Sequence, residues 1–574
     1  MSIKKQSSEN ITAILEKATK EELESFISYY LKECDEKEYS KLSYQLQKFF
    51  KKYLIIEKTF KTPIEEVYKE LDFVLKTLDG LEEYIDNYEP DYEDYSNHGY
   101  YDYDDETLPD LDEDLSDSIN WLFDYSMKRY LEDDIGSVKK ILDPLFKSFV
   151  KNSFYMYYDP EEVLDLKEDF LEIEKIYLNS IFSLPIIETN LEGLYSGFDL
   201  INTRNSEPLK LSDLDFYQKL SEKNKKDFLE VWINILKTND EKWSEYLLFE
   251  GLELKFGIEG LINLAKEDGT KKPIYYIKAL TELSKRDNYN EIAKLVDEAL
   301  KNLPEKIFGR SEIAKFLLEA GEHLKNLEYK YIATMEIFKS NPNVISYINF
   351  FEASKQMKRL DEALKIIETV LNESEMRNKK NNDVLLDIFL QYRSLAIMDR
   401  AAIYLLQKRF EEALNMCKNF SGVGWTYRTN PKAIVISFLM KFLVRDSKEK
   451  FIAIPKVLSL VIESSLSIKD KDERKLLETA LKIVFAKTDI NKKTELDLLE
   501  WIKNESGKRI DEIVSNKHRN SYYKAAELLI GICEVLATCE GKDRAKEFLD
   551  IFKMKYSRYS AFMKELKAID CKMF

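Results

Sequence analysis

Glycine and proline are scarce in this chain, 16 and 12 among 574 residues, and histidine is scarcer still at 3. So few residues that reverse a backbone leave little tight-turn chemistry. The abundance of Leu, Glu, Lys, Ile and Ala predicts an all-α protein instead. No stretch approaches ~18 consecutive apolar residues, so no membrane-spanning helix is expected. The opening "MSIKKQSSENITAILEK" lacks the apolar core of an export signal. The five cysteines, Cys34, Cys417, Cys533, Cys539 and Cys571, are odd in number and scattered, which fits reduced thiols and a cytoplasmic location. What is present is ordinary for a globular protein, 44% hydrophobic and 33% charged residues, at a length that calls for two or more folding units.

One further absence is local. Between Lys76 and Lys128 there is no Lys or Arg, while 18 of the 105 acidic residues fall there. Subtracting them leaves 87 acids against 87 bases, so the whole net charge of −18 sits in this window. Its centre alternates carboxylates with Tyr100, Tyr101 and Tyr103 around Asp102, Asp104, Asp105 and Glu106. Three readings compete over about residues 86–117: a solvated acidic loop, a docking segment for a basic partner, and a calcium loop. Asp102, Asp104, Glu106 and Glu113 have the calcium spacing, but Thr107 stands where that loop needs Gly, and Pro109 disturbs it. The negative field argues against direct nucleic-acid binding here.

The sequence repeats itself. "KRLDEALK" from Lys358 returns as "KRFEEALN" from Lys408. Leu360, Ala363, Leu364, Ile367 and Val370 share one helical face, and Phe410, Ala413, Leu414, Cys417 and Phe420 take the same offsets. Tyr289, Ile292, Ala293, Val296 and Ala299 form a third copy. Each copy follows another helical segment, making an αα-hairpin. Tyr289 and Leu360 are separated by two units of about 35 residues, the tetratricopeptide period, with "HLKNLEYKYIATMEIF" as a degenerate unit between them. The longer step to Phe410 is assigned to an insertion, "NESEMRNKKNND", and a longer first helix through "NDVLLDIFLQYRSLAIMDRAAIYLLQ". "KAIVISFLMKFLV" from Lys432 has strand-like composition, but its length favours a buried helix. Thr19 and Glu22 form a capping box at the start of an N-terminal helix.

Two stretches, residues 336–371 and 519–569, resemble the helical-repeat region of SWIM zinc-finger family proteins. The matching points are Asn341, Pro342, Tyr347, Arg359, Tyr523, Ala526, Arg558, Phe562 and Leu566. The finger itself needs a Cys-x-Cys pair, and the sequence contains none, so zinc or DNA binding transfers to no residue. The resemblance implies a helical scaffold working beside a separate finger-bearing or defence-type partner.

Few residues in the sequence point to chemistry. No histidine pairs with Cys at ligand spacing, and "SGVGWTYRTNP" around Gly422 and Gly424 lacks the Lys-Ser/Thr of a phosphate loop. Cys417, Cys533 and Cys539 read as core thiols. One basic cluster, Lys517, Arg519 and Lys524 with His518, opens a helix beside Tyr522 and Tyr523. It is either a solvated helix start or a patch for phosphate or an acidic peptide.

The expectation is therefore an all-α chain of antiparallel helix-pair repeats, tetratricopeptide-like and solenoidal over 216–574. An N-terminal helical region (1–185) and an irregular connector (186–215) precede it. The expected function is a non-catalytic scaffold holding a protein or peptide partner, with no cofactor, metal or membrane association. The alternative is a regulatory subunit of a nucleic-acid-linked or defence complex that acts through a catalytic or finger-bearing partner.

Overall fold

The computed structural model describes residues 63–81, 112–154, 158, 164, 170–182, 188–202, 209–239, 241–377, 388–421 and 430–570. Among these residues there are 24 α-helices and no strand, and the helices pack in neighbouring pairs. The all-α expectation holds. The chain divides into two compact units, Met1–Gly260 and Leu261–Phe574.

In the first unit, α1 (Ile64–Asp79), α2 (Glu113–Leu131) and α3 (Ile135–Lys151) pack on one another, and α4 (Phe170–Ile181) joins α3. Their shared core is aromatic: Phe146 stacks on Tyr177 at 4.6 Å, and Phe123 meets Phe170 at 5.8 Å. The acidic stretch ends earlier than expected. Asp112 caps α2 by accepting the Leu115 N–H at 3.2 Å, with Glu113 and Asp114 in the first turn. Carboxylates are stabilising at that end of a helix, so residues 113–117 are helical rather than loop. The same fact puts Glu113, the last residue of the calcium spacing, into a helix.

The presumed connector holds α5 (Glu188–Asn202), because Leu191, Leu194, Phe198 and Ile201 recur at helical spacing and are all buried. A short α6 (Asp215–Lys219) follows, then α7 (Glu222–Lys237) and α8 (Lys242–Phe256). α9 (Ile258–Asp268) contains the division between the units.

The second unit begins with three successive pairs: α10 (Ile274–Ser284) with α11 (Tyr289–Asn302), α12 (Phe308–His323) with α13 (Leu327–Ser340), and α14 (Val344–Gln356) with α15 (Leu360–Arg377). A fourth pair, α16 (Ile397–Leu406) and α17 (Phe410–Met416), follows. The repeated letters mark the second helices. Ile292, Val296, Ala363, Ile367, Ala413 and Cys417 are buried, while Leu364 is exposed, so the packed face is narrower than the letters imply.

Each pair turns in the same way. Lys358 has φ +58°, its N–H bonds to Lys355 O, and the next N–H, from Arg359, reaches back to Ser354 O. This double bond pattern around a left-handed residue is a Schellman motif. It recurs at Asp287, Lys325 and Lys408 in this unit, at Lys517 before the final helices, and at Asp133 in the first unit. Gly would be the usual occupant. Here Asp or Lys takes the strained position, which is how a glycine-poor chain still makes sharp turns.

The longer first helix expected for the fourth pair is absent. α16 has only 10 residues. The preceding segment runs back to the start of α12, where Ile307 and Tyr392 form an isolated antiparallel bridge and Phe308 N–H donates to Gln391 O at 2.8 Å. Phe389 stacks on Phe308, and the Arg393 guanidinium lies 3.7 Å from the Phe308 ring centroid. A side chain at Gly309 would meet Phe389 O at 3.0 Å, so the close approach requires glycine. The insertion is in part helical as well, since α15 continues to Arg377.

The remaining helices are α18 (Lys432–Leu443), α19 (Ile454–Ser465), α20 (Lys471–Ala486), α21 (Lys492–Ser515), α22 (Tyr522–Cys539), α23 (Lys542–Lys555) and α24 (Ser560–Asp570). The strand-like segment is indeed a helix, α18, buried at almost every position. Here packing is no longer only between neighbours. α18 touches α16, α19, α21 and α22, and α20 returns to α14 and α16.

Candidate functional site

Where α18, α19 and α20 meet, an open cleft of about 290 Å³ remains. Each wall follows from a local pattern. α20 buries Leu477, Leu481 and Phe485 at i, i+4, i+8, which leaves Lys475, Glu478, Thr479 and Lys482 on its exposed side. α19 starts with Pro455 at its first turn and buries Ile454, Leu458 and Ile462. α18 is apolar except for its two lysines and Ser437. Lys432 is buried in an ion pair with Glu505 at 2.7 Å, and Lys441 is half-buried at the cleft. The floor is thus Phe451, Ile454, Pro455, Leu458 and Leu481, and the rim carries Lys441, Lys475 and Lys482 with one acid, Glu478. Among the described residues, none of these three lysines forms an ion pair.

Glu534 fixes this wall from behind. Its buried carboxylate, on α22, accepts the N–H groups of Ile452, Ala453 and Ile454, the last at 2.9 Å. Those donors would otherwise be orphaned at the start of α19. Asp399 does the same for α14, accepting Val344 N–H at 2.8 Å, and burial pushes its carboxyl up to about 6. Arg310 ties the first pairs together. It is buried, pairs with Glu336 at 2.7 Å, and donates to Leu300 O at 2.6 Å and Leu303 O at 2.9 Å, the open end of α11. Glu505 resists burial through its bonds to Lys432 and Lys508, which together hold its carboxyl below the ordinary value.

The residues singled out by sequence fare unevenly. Tyr100, Tyr101, Asp102, Tyr103, Asp104, Asp105 and Glu106 lie outside the described residues, as do the N-terminal capping box and the turn at Gly422. Lys517 occupies a strained turn position, and Arg519 lies exposed in the short 3-10 turn after it. Lys524 instead lines a small separate groove with Val457, Val461 and Arg509, whose guanidinium burial pulls down to about 10. The basic cluster is therefore not gathered in one groove lining.

Cys417 and Cys533 are buried, and burial pushes the Cys417 thiol up to about 12 and that of half-buried Cys539 to about 11. Such thiols pack rather than react. Among the described residues, no three His, Cys, Asp or Glu side chains gather as a metal site, and no helix is long and apolar enough to cross a membrane.

Sequence reasoning missed the cleft lysines, although a signal exists. Lys475, Glu478, Thr479 and Lys482 form one stripe at helical spacing opposite the buried face, and Lys441 interrupts an apolar run. Compared with known proteins, the chain matches no family model and no curated protein.

Proposed function

We propose that this chain is a non-catalytic interaction scaffold, holding a protein or peptide partner on a tetratricopeptide-like array of helix pairs. The observation that supports it most is the cleft among α18, α19 and α20: open, apolar on its floor and charged on its rim. Grooves between packed helices can lay a partner segment against a rigid surface, and this one adjoins the helix pairs through the contacts of α20 with α14 and α16. The volume of about 290 Å³ falls just below the range of roughly 300–1,000 Å³ typical of small-molecule pockets, which suits side chains of a partner better than a cofactor. Affinity capture from the native host, followed by cross-linking, tests the reading. Recovery of a stoichiometric protein partner cross-linked to the helix pairs supports it. Turnover of a small molecule by the purified chain overturns it.

A further inference from the structure

We infer that the cleft among α18, α19 and α20 takes an acidic peptide segment carrying one bulky apolar side chain. This deepens the scaffold reading and rests on it, by naming the partner's chemistry at one site.

Three lysines line the cleft from two different helices, and a single acid, Glu478, opposes them. Every one of the three is unpaired among the described residues, in a protein whose other surface lysines are often paired with acids three or four residues away, as at Lys492–Glu495 and Lys503–Glu500. On α20, Glu478 is placed to pair with either Lys475 or Lys482 at helical spacing, yet it pairs with neither. The donors at the start of α19 do not contribute, because Glu534 already occupies them from the buried side. Anion binding therefore falls to the lysine side chains alone. Lys475 and Lys482 are seven residues apart, about 10 Å along a helix, a span that an extended peptide covers in about three residues.

The floor decides between anions. A free phosphate needs no apolar surface, whereas Phe451, Ile454, Pro455 and Leu458 offer one continuous with the lysine rim. Nucleic acid is disfavoured by the same surface, since it offers no arginine and one half-buried aromatic ring for stacking. An acidic peptide with a Phe or Leu between its carboxylates satisfies both parts of the cleft at once.

Fluorescence anisotropy on the full-length chain tests this. The probes are three fluorescein-labelled peptides of equal length: Asp/Glu residues around a central Phe, the same acids around a central Ser, and Lys residues around a central Phe. The first binds in the micromolar range, replacing Phe by Ser weakens it roughly tenfold, and the basic peptide does not bind. The double variant Lys475→Glu, Lys482→Glu weakens the first peptide by roughly tenfold or more. Lys564→Glu, at an exposed position on α24 outside the cleft lining, leaves it unchanged. Both cleft positions are exposed, so unaltered circular dichroism and melting confirm that the variants fold. Unchanged affinity in the double variant overturns the inference. Equal competition by a single-stranded oligonucleotide, regardless of the central Phe, also overturns it, since the cleft would then be a general polyanion patch. A host partner that cross-links elsewhere on the helix pairs defeats the cleft assignment and leaves the scaffold reading standing. Small-molecule turnover overturns the scaffold reading itself.

Discussion

The helix pairs from Ile274 to Arg377 and the helices from Ile397 to Cys539 are built from the same αα-hairpin, yet they hold together differently. In the first region each helix packs chiefly on helices near it in sequence, through ties such as Arg310 reaching the end of α11 and Glu336 of α13. The long-range contacts there fall at the start of α12, on Gln391 and Tyr392, and on α14. In the second, α20 returns to α14 and α16, and Glu534 reaches back some 80 residues to start α19. The candidate cleft lies in the second region. A regular stack of neighbours repeats one surface, whereas helices that meet out of order leave an opening no repeat unit contains.

The sharpest way to break this comparison is at Arg310. Arg310→Ala leaves the Glu336 carboxylate buried with only a longer contact, 3.4 Å, to Lys339, and uncaps α11. Urea unfolding should show a loss of about 3–5 kcal/mol, as for other halves of buried ion pairs. Replacing both partners, Arg310→Met with Glu336→Leu, should recover most of that loss. Equal losses for the single and double variants would show that the carbonyl caps, rather than the ion pair, carry the tie.

A smaller effect is expected at Asp399, which joins α16 to α14. Burial raises its carboxyl from 3.8 to about 6, so the folded state holds a proton that the unfolded state has already released. The contribution to stability is therefore full below about pH 4 and falls as pH climbs to about 6, by about 2–3 kcal/mol in all. Asp399→Asn keeps an acceptor for Val344 N–H and has no charge to bury. It should be more stable than the parent at pH 7 by about 2 kcal/mol and lack this decline. Parallel stability profiles for the two proteins between pH 4 and 7 would refute the assignment.

The smallest effect separates the two regions most cleanly. Lys358→Gly relieves a left-handed backbone in the sequential region and should gain about 0.5 kcal/mol, the strain relieved less the added freedom of the unfolded chain. Lys408 has the same backbone conformation, but its ammonium also donates to Lys487 O at 2.9 Å, beyond the end of α20. Lys408→Gly should therefore gain nothing. Equal gains at both sites, read from thermal midpoints, would mean that the long-range bond contributes no stability.

These differences track what the sequence discloses. Helical period is local, so the buried positions Ile292, Ala363, Ile367 and Ala413 are legible from spacing, and the buried nature of α18 from the length of its apolar run. So are the turns at Lys358 and Lys408, although Lys does not signal a left-handed backbone as Gly would. α5 was legible in principle from Leu191, Leu194 and Phe198, but the Gly and Asn residues around them masked the period. The shortened α16 was not legible, because what ends the helical pattern is pairing with Ile307 and Phe308, more than 80 residues earlier. The cleft shares that fate: Lys441 and Lys475 lie 34 positions apart, and no spacing rule links them. Glu534 looks like any helix-surface acid until its three backbone partners are known.

That last tie also sets an order of events during synthesis. α19 is complete in the chain well before residue 534 exists, and its first N–H groups wait for an acceptor supplied by α22. At ribosomal speeds of about 5–20 residues per second, the delay is roughly 4–16 seconds. Through that interval the α18–α19 wall stands open at its start, with largely apolar α18 lacking α22 throughout and α21 for most of it. The nascent chain is then most exposed to chaperones and to misassociation, and it closes only when Glu534 docks.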